Sequence, residues 1–199
     1  MLVPGRTRSL LMFVPLLLML SGNVSAGPLE NGAAAIARGD YVAAIRLLRP
    51  LAEKGDAGAQ FNLGVIYEGG KGVAKDDSAA VFWFRKAAEQ GNAYAQFNLG
   101  LMYEGGRSVA KDESAAVRWY RKAAEQGIPF AQFTLGVMYA EGRGVAKDDA
   151  AAVRWYRKAA GQGNAGAQYN LGMMCIGGSG VAGNDAEAVV WFLKAAEKG

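Results

Sequence analysis

The segment DAGAQFNLGVIYEGGKGVAKDDSAAVFWFRKAAEQG, residues 56–91, decides the fold because the chain writes it again, with small changes, three more times. Gly55, Gly91, Gly127, Gly163 and Gly199 lie 36 residues apart (91 − 55 = 36), and Trp83, Trp119, Trp155 and Trp191 keep the same interval. A fixed period in this range marks a stacked-repeat protein, one supersecondary unit copied in tandem. Such an architecture offers a surface and not a reaction.

Within each period two helical patterns flank a glycine-rich connection. Ala59, Leu63 and Tyr67 recur at i, i+4 and i+8 on one helix face. Glycine inside a helix costs about 1 kcal/mol relative to alanine, so Gly64, Gly100, Gly136 and Gly172 need a reason, and close approach of the second helix supplies one. Asp56, Asn92 and Asn164 mark the helix starts as N-caps, with Pro129 at the first helical position in the third copy. The connection Glu68–Lys75 is long for a helical hairpin, yet its glycines suit an ordered turn. Asp76, Asp112, Asp148 and Asn184 then cap the second helix, the last with Glu187 positioned for a capping box. Ala80, Trp83, Phe84, Ala87 and Ala88 form its amphipathic stripe.

The resulting organisation is a leader at 1–26, an amino-terminal capping hairpin at 27–54, and four repeats at 55–90, 91–126, 127–162 and 163–199. In the hairpin Asp40 aligns with Asp76, the long glycine loop is missing, and Pro50, with no N–H to donate, should bend its helix or end a hydrogen-bonded turn. The leader carries Arg6 and Arg8, an apolar run from Leu10 to Leu20 and a small-residue Val24-Ser25-Ala26, the pattern of a secretory signal cut after Ala26. Its apolar run, interrupted by Pro15, is short of the ~20 residues a spanning helix needs. Gly27 in place of cysteine gives no support to a lipid anchor, and Arg6-Thr7-Arg8 is not a twin arginine. These features predict a periplasmic or secreted protein without stable membrane insertion once the signal is removed.

Composition narrows the chemistry. The chain has 22 basic and 18 acidic residues; removal of Arg6 and Arg8 leaves 20 against 18, a net charge of +2 that gives no argument for nucleic acid. Histidine is absent and Cys175 is alone, which removes the commonest general base and metal ligand and any intramolecular disulfide. No catalytic residue, cofactor or metal ligand is assigned.

The run Ala59-Gln60-Phe61-Asn62-Leu63-Gly64-x-x-Tyr67-x-x-Gly70-x-Gly72-Val73-x-x-Asp76, followed by Ala79-Ala80-x-x-Trp83-Phe84-Arg85-Lys86-Ala87-Ala88-x-x-Gly91, resembles the Sel-one-like repeat (SLR) family, relatives of the tetratricopeptide repeats. The resemblance covers 55–199 in four copies, with a looser relative at 28–54. It implies an all-α fold, a right-handed superhelix of antiparallel helix pairs acting as an adaptor or regulator, often in bacterial envelopes. Some cysteine-rich members of the family are linked to penicillin binding or hydrolysis. Ser108-Val109-Ala110-Lys111 spells the S-x-x-K of such enzymes, but Ser108 occupies the loop position of Gly72, Gly144 and Gly180, no S-D-N or K-T-G accompanies it, and the paired cysteines are missing. Gly178-Ser179-Gly180-Val181-Ala182-Gly183 has glycine spacing for a dinucleotide but no preceding strand. Cys175 takes the place of Tyr67, Tyr103 and Tyr139 and should be buried, and the paired acids such as Asp76-Asp77 serve the helix starts.

Two surfaces remain as candidates for protein or peptide partners of the envelope. In the tetratricopeptide pattern the first helix of each pair lines a concave face, which here would carry Tyr94 and Phe130, the column Phe61, Phe97, Phe133 and Tyr169, and then Val65, Leu101, Val137 and Met173, with Glu68 and Glu104 at the edge. Tyr94 and Phe130 are expected to be exposed, because Gly58 and Gly166 replace them in the other copies. The second surface is the last helix, where the positions of Arg118 and Arg154 become Val190 and those of Arg121 and Arg157 become Leu193. A terminal repeat should turn more polar where it meets water, and this one turns apolar; with Met174 and Ile176 these residues suggest a docking patch for a partner or a second copy. A cell-wall enzyme and a glycan binder are the competing readings.

Overall fold

The computed structural model describes residues 27–197, in two compact units, 27–92 and 93–197. The predicted leader at 1–26 lies outside the described residues. Every regular element among them is an α-helix. The first unit holds α1 (Pro28–Ala37), α2 (Tyr41–Glu53), α3 (Ala57–Gly69) and α4 (Asp77–Glu89). The second holds α5 (Ala93–Gly105), α6 (Glu113–Glu125), α7 (Pro129–Glu141), α8 (Asp149–Gly161), α9 (Ala165–Gly177) and α10 (Asp185–Ala196). Successive helices pack as hairpins and each hairpin packs on the next within its unit, the construction of an α-solenoid.

Short helices of this length are marginal alone, so their ends and their packing must hold them. At the starts, the carboxylate of Asp148 accepts the N–H of Ala151 at 2.8 Å, and Asp56, Asp112 and Asn164 do the same for the residue three further on. Ile128 stands at the cap position of α7 with no side-chain bond, and Pro129 opens that helix with no N–H to satisfy. The expected capping box at α10 is half made. Asn184 accepts the N–H of Glu187 at 3.1 Å, but the Glu187 carboxylate turns to the indole N–H of Trp191 at 3.2 Å and to Arg157 at 3.7 Å. Pro50 lies inside α2, as the sequence places it, and the helix runs on to Glu53.

The glycine-rich connections are ordered. Each first helix of the later repeats ends on a left-handed glycine, Gly142 at φ 70° being one. The N–H of the following cap then returns to the first helix: Asp76 to Tyr67 O, Asp112 to Tyr103 O, Asp148 to Tyr139 O and Asn184 to Cys175 O, all at 3.0 Å. That contact is made by backbone, so cysteine can replace tyrosine at 175 without opening the loop.

The two helices of a repeat touch through one glycine. A methyl group on Gly136 would stand 2.6 Å from the ring of Tyr156, and on Gly100 2.5 Å from Tyr120, against the ~3.5–4.0 Å of ordinary carbon contact. The same rings take the aromatic of the first helix: Phe97–Tyr120 centroids are 5.5 Å apart, Phe133–Tyr156 6.0 Å and Tyr169–Phe192 5.6 Å. A polar ladder threads this apolar packing. Gln132 donates to Ala124 O of the preceding helix at 3.1 Å and accepts from Gln162 at 2.8 Å. Gln60 repeats the pattern with Ala52 O and Gln90, satisfying both ends of a buried amide. In the final copy Gln168 donates to Ala160 O, but its side-chain oxygen has no partner among the described residues, the period putting Lys198 where Gln162 would recur.

Candidate functional site

All the side chains proposed from sequence to meet a partner, apart from the Phe61 group, fall in the 93–197 unit. On its first helices the residues divide. Phe97 is 9% exposed and Val137 6%, so both belong to the core and correct the expectation that they line a groove. Tyr94 and Leu101 are half-buried against the cluster of Phe97, Tyr120 and Leu135, so Tyr94 is less open than expected. Phe133 is half-buried over Tyr156 and Met173 is half-buried, while Phe130 and Tyr169 reach solvent. Gly166 has its own reason: a methyl group there would stand 3.0 Å from the Phe133 ring. Its glycine makes room for Phe133, and marks no exposure at Tyr94.

At the last hairpin Val190 is 47% exposed and Leu193 62%, as the patch requires, with Ile176 also exposed. Met174 is not part of it. It is buried at 4% in the cluster of Tyr156, Val153 and Leu171, because its period position repeats the interior Met102 and Met138. Val189, whose counterparts Val117 and Val153 are buried, is also exposed.

One electrostatic cluster also went unread. Arg143 in the α7–α8 connection bonds to Glu104 of α5, lies 3.2 Å from Glu141 and 3.6 Å from Glu113, and Glu104 accepts the phenol of Tyr120 at 2.6 Å. Burial, and then the Glu104 carboxylate, raise the Tyr120 phenol well above the ordinary 10.0. Burial likewise raises Tyr156, whose oxygen accepts from Asn170 at 3.3 Å. These contacts clamp one repeat's connection to the preceding repeat.

The chemical candidates are occupied structurally. Lys111 of the S-x-x-K run lies at the surface, 63% exposed, and pairs with Glu113 at 3.2 Å. Ser108 holds a left-handed backbone, φ 52°, at the position of a loop glycine. Cys175 is fully buried and burial raises its thiol, which disfavours the reactive thiolate. Among the described residues no group of three His, Cys, Asp or Glu is placed to hold a metal, and no helix is long and apolar enough to cross a membrane.

Tandem hairpins packed one on the next within each unit, with open aromatic and aliphatic side chains, define an α-solenoid of the kind that presents surface to other proteins. The chain belongs to the Sel1 repeat family: the family model matches residues 26–56, 57–92, 93–128, 129–164 and 165–199. Proteins of this family are generally protein-interaction scaffolds and typically not enzymes. Among solved structures, a Sel1 repeat protein from Oxalobacter formigenes is 39% identical with a TM-score of 0.81, covering 85% of this chain and 70% of that one. A protective antigen of uropathogenic Escherichia coli with an SLR fold is 46% identical with a TM-score of 0.75 over 78% of this chain, which spans only 33% of that structure. A Klebsiella pneumoniae Sel1 repeat structure, 23% identical with a TM-score of 0.56 over 86% of this chain and 89% of that one, shares the fold. A search of the curated proteins finds no match.

Proposed function

We propose that this chain is a non-enzymatic interaction scaffold of the bacterial cell envelope, exported by a signal removed after Ala26 and facing the periplasm or the exterior. It takes an extended segment of another envelope protein on the first helices of the 93–197 unit, and it has a second docking end at α10. The observation that carries the first surface is the exposure of Phe130, 37%, and Tyr169, 36%, on first helices of successive repeats. Large aromatics held by a rigid helix bury much area at small entropic cost, which makes them anchors for an apolar peptide. The half-buried Tyr94, Leu101, Phe133 and Met173 supply the surround.

A photo-crosslinking residue at position 130 or 169, used in intact cells, should trap one protein species, and Phe130→Ala with Tyr169→Ala should abolish its capture by the purified chain. Capture that survives both alanines puts binding elsewhere. The exported protein should begin at Gly27 by intact mass, and a cytoplasmic, full-length product would reject the location.

A further inference from the structure

We infer that α10 is a self-association surface, pairing with α10 of a second copy of this chain antiparallel about a two-fold axis. This rests on the reading of α10 as a docking end. Of the exposed large apolar side chains in the 93–197 unit, Ile176, Val189, Val190 and Leu193 all belong to the final hairpin. At about 100° per residue, Val189, Leu193 and Val190 fall within a stripe about 100° wide, with Ala186 inside it.

What covers that stripe is constrained by the earlier copies of the same helix. Val153, the counterpart of Val189, is 2% exposed in the cluster with Leu171 of α9. A further repeat stacked in register would bury Val189 in the same way. It would leave Val190 and Leu193 in water, because their counterparts stay open beneath a stacked repeat: the Arg154 and Arg157 side chains are 66% and 50% exposed. Continuation of the stack therefore does not account for the two substitutions to apolar residues. The occupant lies across α10, over the flank that α6 and α8 give to water.

The charges around the stripe match the helix to itself. Glu187 and Lys194 sit on the same flank, about 20° apart in projection and about 10 Å apart along the axis. A two-fold axis midway between Val190 and Trp191 brings Glu187 of each copy beside Lys194 of the other, and Leu193 within one residue of the other copy's Val189. A parallel two-fold would instead carry this flank of one copy to the opposite side of the pair, so that Glu187 and Lys194 of the two copies would not meet. Lys194 stands 4.5 Å over the Trp191 ring and Glu187 accepts from the Trp191 indole, so both charges are already held at that flank. A helix of 12 residues covers less than the ~1,200 Å² of a standard stable interface, so the pairing is weak and concentration-dependent.

Sedimentation equilibrium of the exported chain, from about 1 μM to about 1 mM, should show the mass rising from one copy towards two. Val190→Arg with Leu193→Arg restores the residues that α6 and α8 carry, so the fold tolerates it, and this variant should stay at one copy throughout. Val190→Cys under mild oxidation should give a covalent dimer, since a residue near a two-fold axis meets itself and Cys175 is buried. One copy at every concentration, association untouched by the arginines, or association in which Val190→Cys fails to link to itself each overturns the inference. Capture through Phe130 and Tyr169 is read separately. If it persists while α10 stays single, the second copy is lost and the scaffold stands; if capture fails while α10 still pairs, the reverse holds.

Discussion

Changing Gly136 to alanine sets two effects of known sign against each other. An alanine in mid-helix is favoured over glycine by about 1 kcal/mol, and nothing about the backbone of α7 opposes it, Gly136 having no positive φ. Against this, the new methyl carbon would stand 2.6 and 2.7 Å from two carbons of the Tyr156 ring and 3.3 Å from a third. Relief requires the ring to move by about 1 Å, the shortfall from ordinary carbon contact. The ring cannot swing freely: Tyr156 is fully buried, its face is taken by Phe133, and Asn170 holds its oxygen. Overpacking of this kind costs about 1–3 kcal/mol, and a blocked aromatic belongs at the upper end. Subtracting the propensity gain leaves a loss of about 2 kcal/mol, or about 4–8 °C in the unfolding midpoint for a domain of this size. Gly161, the last residue of α8, has no atom within 4 Å of such a methyl group and no positive φ, so Gly161→Ala should gain up to about 1 kcal/mol. Thermal and urea unfolding followed by circular dichroism on both variants gives the comparison directly. A Gly136→Ala protein as stable as wild type, or shifted upward like Gly161→Ala, would refute the assignment of these glycines to close approach of the two helices.

The connections should be equally intolerant. Gly144→Ala places a methyl group 2.3 Å from the backbone oxygen of Glu113 at φ 64°, so a loss above about 2 kcal/mol in urea unfolding is expected, larger than for Gly161→Ala and opposite in sign. Stability should also fall in alkali. Tyr120 and Tyr156 have folded values raised above the ordinary 10.0, so the folded state keeps protons that the unfolded state releases; their contribution is complete below pH 10 and is lost as pH climbs past it. Tyr120→Phe with Tyr156→Phe, the residue already present at 84 and 192, should flatten that decline in a urea midpoint series between about pH 9 and pH 11.

The parts of the molecule that sequence could disclose are those repeated in register with one physical cause. Gly64 and its copies signalled a close approach because an interior glycine is costly unless something fills the space, and the rings of Phe84, Tyr120, Tyr156 and Phe192 do fill it. The caps were legible for the same reason: Asp148 and its equivalents precede an apolar stripe and have one task. The first helices were harder to read. PFAQFTLGVMYAE in α7 is apolar on nearly every side, so period alone cannot separate the face against its own partner helix from the face against the neighbouring repeat or from water. Phe97 and Val137 went to the interior, and Phe130 and Tyr169 to solvent, by differences of packing that no single helix encodes. The Arg143 cluster was hidden differently, since its partner Glu104 lies 39 residues away, one period plus three, and the pairing exists only once the loops are stacked. The deviations from the repeat were more informative than the repeat itself. Val190 and Leu193 stand where the inner copies place arginine in water, and their exposure leaves two aliphatic side chains that their own hairpin does not cover. The inner helices carry arginine at those two positions and keep it in water, so folding exerts no demand for valine and leucine there, and the proposed pairing of α10 is a pressure that would favour them.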